Sequence, residues 1–410
     1  MGRLFSKEIE LLAPAGNFEK LEIALHYGAD AVYLGGEEFS LRSYSGNFGL
    51  EQIQAAVGLA HDSGARVYVA VNVFARPANL APIEAYIRRL GAIGPDGLIV
   101  ADPAVIAMSR RIAPQLPLHL STQANTTNQQ AVKFWQAQGI SRINAARELS
   151  LAEIAELVAG GDTVEIEAFV HGAMCISYSG RCLLSNYMAE RPSNQGMCCQ
   201  PCRFEYAVME ETRPGQFFPI AEDKHGTYIF NSKDLCMIDH LPAMIRTGVR
   251  ALKIEGRMKG IHYAATAVSV YRQALDAYFR DPENYSPDPD WRAELEKITS
   301  RGYCTGFYLG QPGQTTPSYL PSRPPEFSLA AKVLAPAGKH KAHVEVRNQL
   351  RPGDAIEIIT PGGPAVPDKI LEIIDLEGRQ LAKANPGSRA TVLLKTDCRR
   401  LDLFRRKISA

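Results

Sequence analysis

The sequence predicts an α/β fold, a TIM-type (β/α)8 barrel followed by a small antiparallel β-barrel domain. Three observations carry this. Strand-like and helix-like segments alternate over roughly the first 260 residues, the order and size of such a barrel. No Gly-x-Gly-x-x-Gly turn follows the first strand, which disfavours a doubly wound open sheet. Beyond a Pro/Gly/Ser-rich stretch near 311–325 the pattern changes to short alternating strands.

The first strand is Glu10–Ala13 (ELLA), and a Gly turn leads into a helix over Phe18–Tyr27. A second strand, Ala31–Leu34, precedes a helix near Glu51–Ser63. Arg66–Phe74 (RVYVAVNVF) is the clearest β-branched strand. Gly97–Val100, Pro117–Thr122, Arg142–Ala145, Val164–Val170 and Ala251–Ile254 complete eight strands, most separated by helical segments. An amphipathic helix over Tyr263–Phe279 follows. These features divide the chain into a barrel at 1–310 with a Cys-rich insertion at about 172–206, a linker at 311–326 and a β-domain at 327–410. In the last part, strands are expected at Leu329–Leu334, His343–Arg347, Ala355–Ile359, Lys369–Ile374 and Ala390–Leu394, with turns such as Pro352-Gly353-Asp354 between them.

With 46% apolar and 22% charged residues the chain is globular and can bury a large core. No run of 18 apolar residues occurs, so no membrane span is expected. Met1–Glu10 holds two acidic and two basic residues and no apolar segment, so a cytoplasmic protein is expected. The net charge is +1, but it is unevenly spread. Phe327–Ala410 carries 15 Lys/Arg against 9 Asp/Glu, and the preceding residues carry 30 against 35. The tail reads Arg399, Arg400, Arg405, Arg406, Lys407. Such a basic appendage is either an RNA footprint or a solvated face.

Five of eight cysteines fall between Cys175 and Cys202, which points to a shared task, whereas Cys236, Cys304 and Cys398 are scattered as buried small hydrophobes are. Disulfides fit poorly in a cytosolic chain of this size. Structural zinc usually uses two Cys-x-x-Cys knuckles, and only Cys199–Cys202 makes one. Thiolates suit iron–sulfur clusters, which accept looser spacings such as Cys175-x6-Cys182-x15-Cys198-x3-Cys202, so a cluster is favoured over zinc. Cys199 could replace Cys198. Cys175 follows a barrel strand, which places this long loop at the C-terminal face, where barrel enzymes do chemistry.

Alternation along strands puts Lys253, Glu255 and Arg257 on one side of ALKIEGR, and Glu165, Glu167, Phe169 and His171 on one side of VEIEAFVH. Their apolar neighbours would then face the helices and the charged set the barrel axis. Buried charge needs a partner, so a structural salt bridge from Glu165 or Glu167 to Lys253 is one reading. A polar site that grips an anion and moves protons is the other, and it is favoured for Lys253, Glu255 and Arg257 at the strand end. His171 reads equally as packed or catalytic. Asn72, Asp102, Thr122, Gln123, Asn125, Arg147 and Glu148 lie near other strand ends and outline a polar mouth, and Pro14-Ala15-Gly16 and Gly35-Gly36 permit close backbone approach.

Together these segments resemble peptidase family U32. The likeness lies in LLAPAGNFEKLEIALHYGADAVYLGG (Leu11–Gly36), in EAFVHGAMCISYSGRCLLSNYMAERPSNQGMCCQPCRFEY (Glu167–Tyr206), in NSKDL (Asn231–Leu235) and in LKIEGRMKG (Leu252–Gly260). Glu326–Lys407 resembles the family's C-terminal β-domain. The resemblance implies a [4Fe–4S] cluster on Cys175, Cys182, Cys198 and Cys202, in a family pattern with one cysteine where this chain has Cys198-Cys199. It also implies O2-independent hydroxylation of tRNA, ribosomal RNA or a ubiquinone precursor. The layout is most similar to members that form 5-hydroxyuridine at the tRNA wobble position with prephenate, a dicarboxylate, as cosubstrate. Glu167, His171, Lys253, Glu255 and Arg257 are then the expected catalytic residues, and tRNA the expected partner. The alternatives are a U32-type peptidase, with Cys175 near His171 as a thiol nucleophile, and a non-catalytic RNA-binding subunit.

Overall fold

The structure is a computed structural model. It describes residues 9–40, 46–161, 163–174, 233–310 and 326–408, with isolated positions and short stretches between 178 and 228. The linker expected at 311–326 falls outside these residues except for its last position.

Eight parallel strands close into a barrel: β1 (Glu10–Pro14), β2 (Ala31–Gly35), β3 (Arg66–Val71), β4 (Gly97–Val100), β5 (Leu118–Leu120), β6 (Ile140–Asn144), β7 (Glu165–Ala173) and β8 (Ala251–Ile254). Each pairs with the next, and β8 pairs with both β7 and β1, so no edge remains. Helices α1 (Phe18–His26), α2 (Leu50–Asp62), α3 (Leu80–Ile93), α4 (Pro103–Ile112), α5 (Gln129–Ala137) and α6 (Leu151–Ala159) fill the crossovers. Their starts are written locally. Asn17 accepts from the Lys20 amide, Asp102 from the Ala104 amide, and Ser150 forms a capping box with Glu153. The apolar faces of these helices and the outward residues of the strands make one large core, joined by the long α9 (Ile261–Arg280). Between β7 and β8 lie the short α7 (Leu184–Ala189), a strand at Asp234–Cys236 running antiparallel to β7, and α8 (Leu241–Arg246). The helix α10 (Pro289–Glu296) follows α9. Among the described residues no helix is long and apolar enough to cross a membrane.

The second domain is a seven-stranded antiparallel sheet with its own core. Its strands are β9 (Phe327–Pro336), β10 (Lys341–Val346), β11 (Ala355–Ile359), β12 (Val366–Lys369), β13 (Glu372–Ile374), β14 (Arg389–Leu393) and β15 (Leu403–Lys407), in the order β12-β11-β15-β9-β10-β14-β13. The barrel expected from sequence is thus a half-barrel sheet, not hydrogen-bonded between β12 and β13. The stretch expected as one strand at Lys369–Ile374 is two, and the basic tail is a central strand.

That strand corrects the reading of the tail. Arg405 is fully buried and binds Glu357 at 2.5 Å and Glu294 of α10 at 2.7 Å. Arg406 pairs with Asp354 at 2.6 Å, and Arg400 with Glu22 of α1 at 2.5 Å. Lys332 and Arg347 both bind Glu19 of α1, and the Tyr27 hydroxyl donates to the Ile359 carbonyl at 2.8 Å. Much of the basic excess therefore fastens the sheet to α1 and α10. Arg399 and Lys407 remain exposed.

Candidate functional site

The barrel interior departs from the usual stack of branched apolar side chains. Leu12, Ala31, Tyr33, Tyr68, Ala70 and Ile99 form a small apolar cluster apart from the main core. Beneath it, Arg142 of β6 is ringed by carboxylates: Glu10 at 2.5 Å, Glu165 at 2.6 Å and Glu167 at 3.8 Å. The Tyr68 hydroxyl also donates to Glu10 at 2.7 Å. Burial works against the Arg142 charge, but Glu10, Tyr68 and Glu167 outweigh it and hold the guanidinium above its ordinary value. His119, inside the same barrel, is pushed well down by burial and by Arg142, Lys253 and Arg66, so it is neutral.

Lys253 joins this layer to the one above. Its Nζ lies 2.8 Å from Glu167 Oε1 and 4.4 Å from the centre of the Tyr33 ring. Above it a cavity of about 160 Å³ sits at the C-terminal ends of the strands. Lys253, Glu255 and Arg257 all line it, as alternation along ALKIEGR predicts. Arg147 lines it too, stacked 4.0 Å from the Phe169 ring and 3.8 Å from Glu255. The Tyr33 hydroxyl donates to the Ile254 carbonyl at 3.0 Å and to Glu255 Oε2 at 3.3 Å. Three cations and one carboxylate thus face the cavity, a lining suited to an anion.

The opposite wall carries amides. Gln123 Oε1 accepts from Asn72 Nδ2 at 2.7 Å and from Ser121 Oγ at 3.0 Å, and Gln123 Nε2 donates to the Asn72 carbonyl. Thr122 and Asn144 also line the cavity. Asp102 has a structural task, capping α4 and accepting from the Ala75 amide.

Two of the expected cluster ligands, Cys182 and Cys198, line the same cavity. Ser193 Oγ donates to the Cys182 carbonyl at 2.6 Å. Cys199 is turned to buried Ser185: its Sγ lies 3.2 Å from Ser185 Oγ, and its amide donates to the same oxygen at 3.1 Å. Of the doubled pair, Cys198 is the one at the cavity. Cys175 and Cys202 lie outside the described residues. Among the described residues no three His, Cys, Asp or Glu come together as a metal site. Burial raises the Cys236 and Cys304 thiols and pushes that of Cys398 up to about 12, as expected of inert packed cysteines.

His171 corrects the sequence reading. Lys253 pairs with Phe169, but Ile254 pairs with His171, so β7 holds one extra residue. This β-bulge turns His171 out of the barrel and into a nest of Tyr263, Tyr271 and Tyr303, with ring centres 5.3–5.7 Å away. Neither ring nitrogen has a hydrogen-bond partner among the described residues. Burial pushes its value down to about 3, against the pull of Asp234, so it is a neutral packed ring. It cannot serve a nucleophile at the cavity. Glu167, though inside the barrel, is taken up by Lys253 and Arg142 and is not among the residues lining the cavity.

Backbone crowding at the site explains two glycines. A Cβ on Gly35 would lie 2.1 Å from Arg257 Nη1, and one on Gly16 would lie 2.1 Å from the Arg257 carbonyl. The Lys20 ammonium donates to that carbonyl at 2.9 Å, and its half-burial pushes it below lysine's ordinary value, against Glu19. Sequence reasoning missed Tyr33, Ser40, Ser121, Ser193 and Asn144. Each is a lone polar residue, and only Ser121 and Asn144, at the ends of strands, carried a positional signal.

The sequence profile of peptidase family U32 matches residues 16–318, and that of its C-terminal domain matches residues 326–405. This chain belongs to peptidase family U32. The U32 chain is 43% identical over 384 residues to tRNA hydroxylation protein P1 of Bacillus subtilis, covering 93% of this chain and 90% of that protein. It is 37% identical to tRNA hydroxylation protein P of Escherichia coli, covering 86% of each. A protein named collagenase, from Porphyromonas gingivalis, is 30% identical over 410 residues, covering 96% of this chain and 97% of that protein.

Proposed function

We propose that this U32 protein is an iron–sulfur-dependent tRNA hydroxylase that forms 5-hydroxyuridine at the wobble position without O2, with prephenate as cosubstrate. The observation that carries the reading is one cavity at the barrel's C-terminal face, where Cys182 and Cys198 meet Lys253, Glu255 and Arg257. The names of the relatives at 43% and 37% identity support the RNA substrate.

The donor set fits a cluster: two soft sulfur ligands share the cavity, and the spare thiol, Cys199, is occupied by Ser185. Cys175, Cys182, Cys198 and Cys202 would hold it. When bound, the cluster supplies the redox chemistry that a hydroxylation without O2 needs. The remaining work belongs to this chain. Arg257 and Arg147 grip the two carboxylates of the cosubstrate, Arg257 bidentately. Lys253, paired with Glu167 at 2.8 Å, adds charge to the floor. Glu255, within reach of the Tyr33 hydroxyl and Arg147, holds or accepts a proton at its Oε2. The amide wall shapes the side open to the pyrimidine.

Two measurements test this. Anaerobically purified protein should be brown, with iron and acid-labile sulfide near four per chain. Mass spectrometry of tRNA from a deletion strain should show the wobble hydroxyl lost, restored by the wild type and not by Cys182→Ser. Colourless, iron-free protein, or unchanged tRNA in the deletion strain, would reject the proposal.

A further inference from the structure

We infer that Ser40 is a positioning residue for the anion grip at Arg257, presented by a strained turn at Phe39. The inference rests on the reading of the cavity as the cosubstrate site. Arg257 is only 3% exposed, and so is Ser40. The guanidinium donates from Nη2 to Ser40 Oγ at 2.8 Å. Both groups lie tight against the bare face of Gly35, where a Cβ would stand 2.1 Å from Arg257 Nη1 and 2.3 Å from Ser40 Oγ.

The residue before Ser40 shows that the contact is built. Phe39 has φ of 58°, in the left-handed region that a bulky side chain seldom enters. Its conformation is held from two sides. The Phe39 carbonyl accepts from the Asn72 amide at 3.1 Å, and its ring packs 5.7 Å from that of Tyr86. The base of the loop is pinned as well, since the Phe48 amide donates to the Gly35 carbonyl at 3.0 Å and the Glu37 amide to the Phe48 carbonyl at 3.2 Å. The turn thus places one hydroxyl against one guanidinium.

The physical need is plain. An arginine side chain has four rotatable bonds, and a bidentate grip works only if the planar fork is aimed beforehand. Lys20 fixes the Arg257 backbone through its carbonyl, and Ser40 fixes the far end of the side chain. A neutral hydroxyl does this without cancelling the charge that the ligand needs, as a carboxylate would. Ser40 does not itself line the cavity among the residues described there, so it acts through Arg257.

The test uses full-length, cluster-loaded protein and the variants Ser40→Ala, Ser40→Cys, Arg257→Lys and the double variant Ser40→Ala/Arg257→Lys. Two readouts are taken. The first is the rate of phenylglyoxal labelling at Arg257, followed by peptide mass spectrometry without ligand. We expect Ser40→Ala to label several-fold faster, with Ser40→Cys, which keeps the volume but accepts weakly, in between. The second is prephenate affinity by calorimetry. We expect Ser40→Ala to bind about 10-fold more weakly, the scale of a lost hydrogen bond to a charged group. The double variant should be no weaker than Arg257→Lys alone. Unchanged labelling in Ser40→Ala, or a double variant showing both losses in full, would overturn the inference. Should Ser40→Ala fail to fold, Ser40→Cys against wild type decides it by the same labelling. A wild type that ignores prephenate would sink the cosubstrate reading, while the labelling still judges Ser40.

Discussion

Two charged layers share the inside of one barrel, and they differ in sign and in openness. The lower sets three carboxylates, Glu10, Glu165 and Glu167, around Arg142, with Arg66 also pairing to Glu10. The upper sets three cations, Arg147, Lys253 and Arg257, and one carboxylate, Glu255, around a cavity. The Lys253–Glu167 pair at 2.8 Å staples them together. Buried charge is therefore not in itself a sign of function here. The lower layer packs its charges against one another, and the upper lines a cavity with its own.

The sharpest break between the layers is Arg142→Met. It leaves three carboxylates without their shared cation, and we expect a loss of about 3–5 kcal/mol in urea unfolding. A loss under about 1 kcal/mol would show that the lower layer is not what holds the barrel floor. Arg257→Ala should behave in the opposite way. Hydroxylation should fall about 100-fold, the equivalent of roughly 2.7 kcal/mol in the transition state, while the unfolding midpoint stays close to wild type. Equal damage to stability and activity would erase the contrast.

A third test uses the residue that the bulge removes from the barrel. His171 is held near 3, below its unfolded value of about 6.5, so the unfolded chain binds the extra proton between those limits. Its contribution to stability is full above about pH 6.5 and is lost as pH falls, by about 1.4 kcal/mol per pH unit. His171→Leu should flatten the stability slope between pH 6 and 5 by that amount and leave the neutral-pH activity intact. An unaltered slope would mean that the ring is not a buried neutral histidine. The smallest effect is expected from Cys199→Ser: on the proposed cluster reading it should keep whatever iron and sulfide the wild type holds, whereas Cys198→Ser should lose them. Equal iron loss in both would contradict the orientation of Cys199 toward Ser185.

The sequence made part of this legible. The parity of ALKIEGR located the three charged residues of the mouth, because β8 is short and regular up to Ile254. The same rule failed for His171, since a bulge adds one residue and reverses the face of everything beyond it, and no residue type announces that. Glu167 was read both ways, and its neighbours settle it as a pairing group for Lys253 and Arg142. The Arg405-Arg406 run looked like an exposed tail because two adjacent arginines are usually solvated. Only the meeting of β15 with α10 and β11 supplies the carboxylates that bury the first of them. Ser40 gave no signal, because its importance comes from Gly35 and Arg257, far apart along the chain.

The first turn of α1 ties the two domains together at the site. Glu19 receives Lys332 and Arg347 from the C-terminal sheet, and the very next residue, Lys20, tethers the carbonyl of Arg257. One peptide unit therefore separates a domain seam from the tether of a cavity-lining arginine. Cutting the chain at the linker would release more than an accessory: it would leave an unbalanced glutamate beside the lysine that steadies the mouth. On the proposed reading, a barrel expressed alone should bind prephenate more loosely than the intact chain, even if it folds.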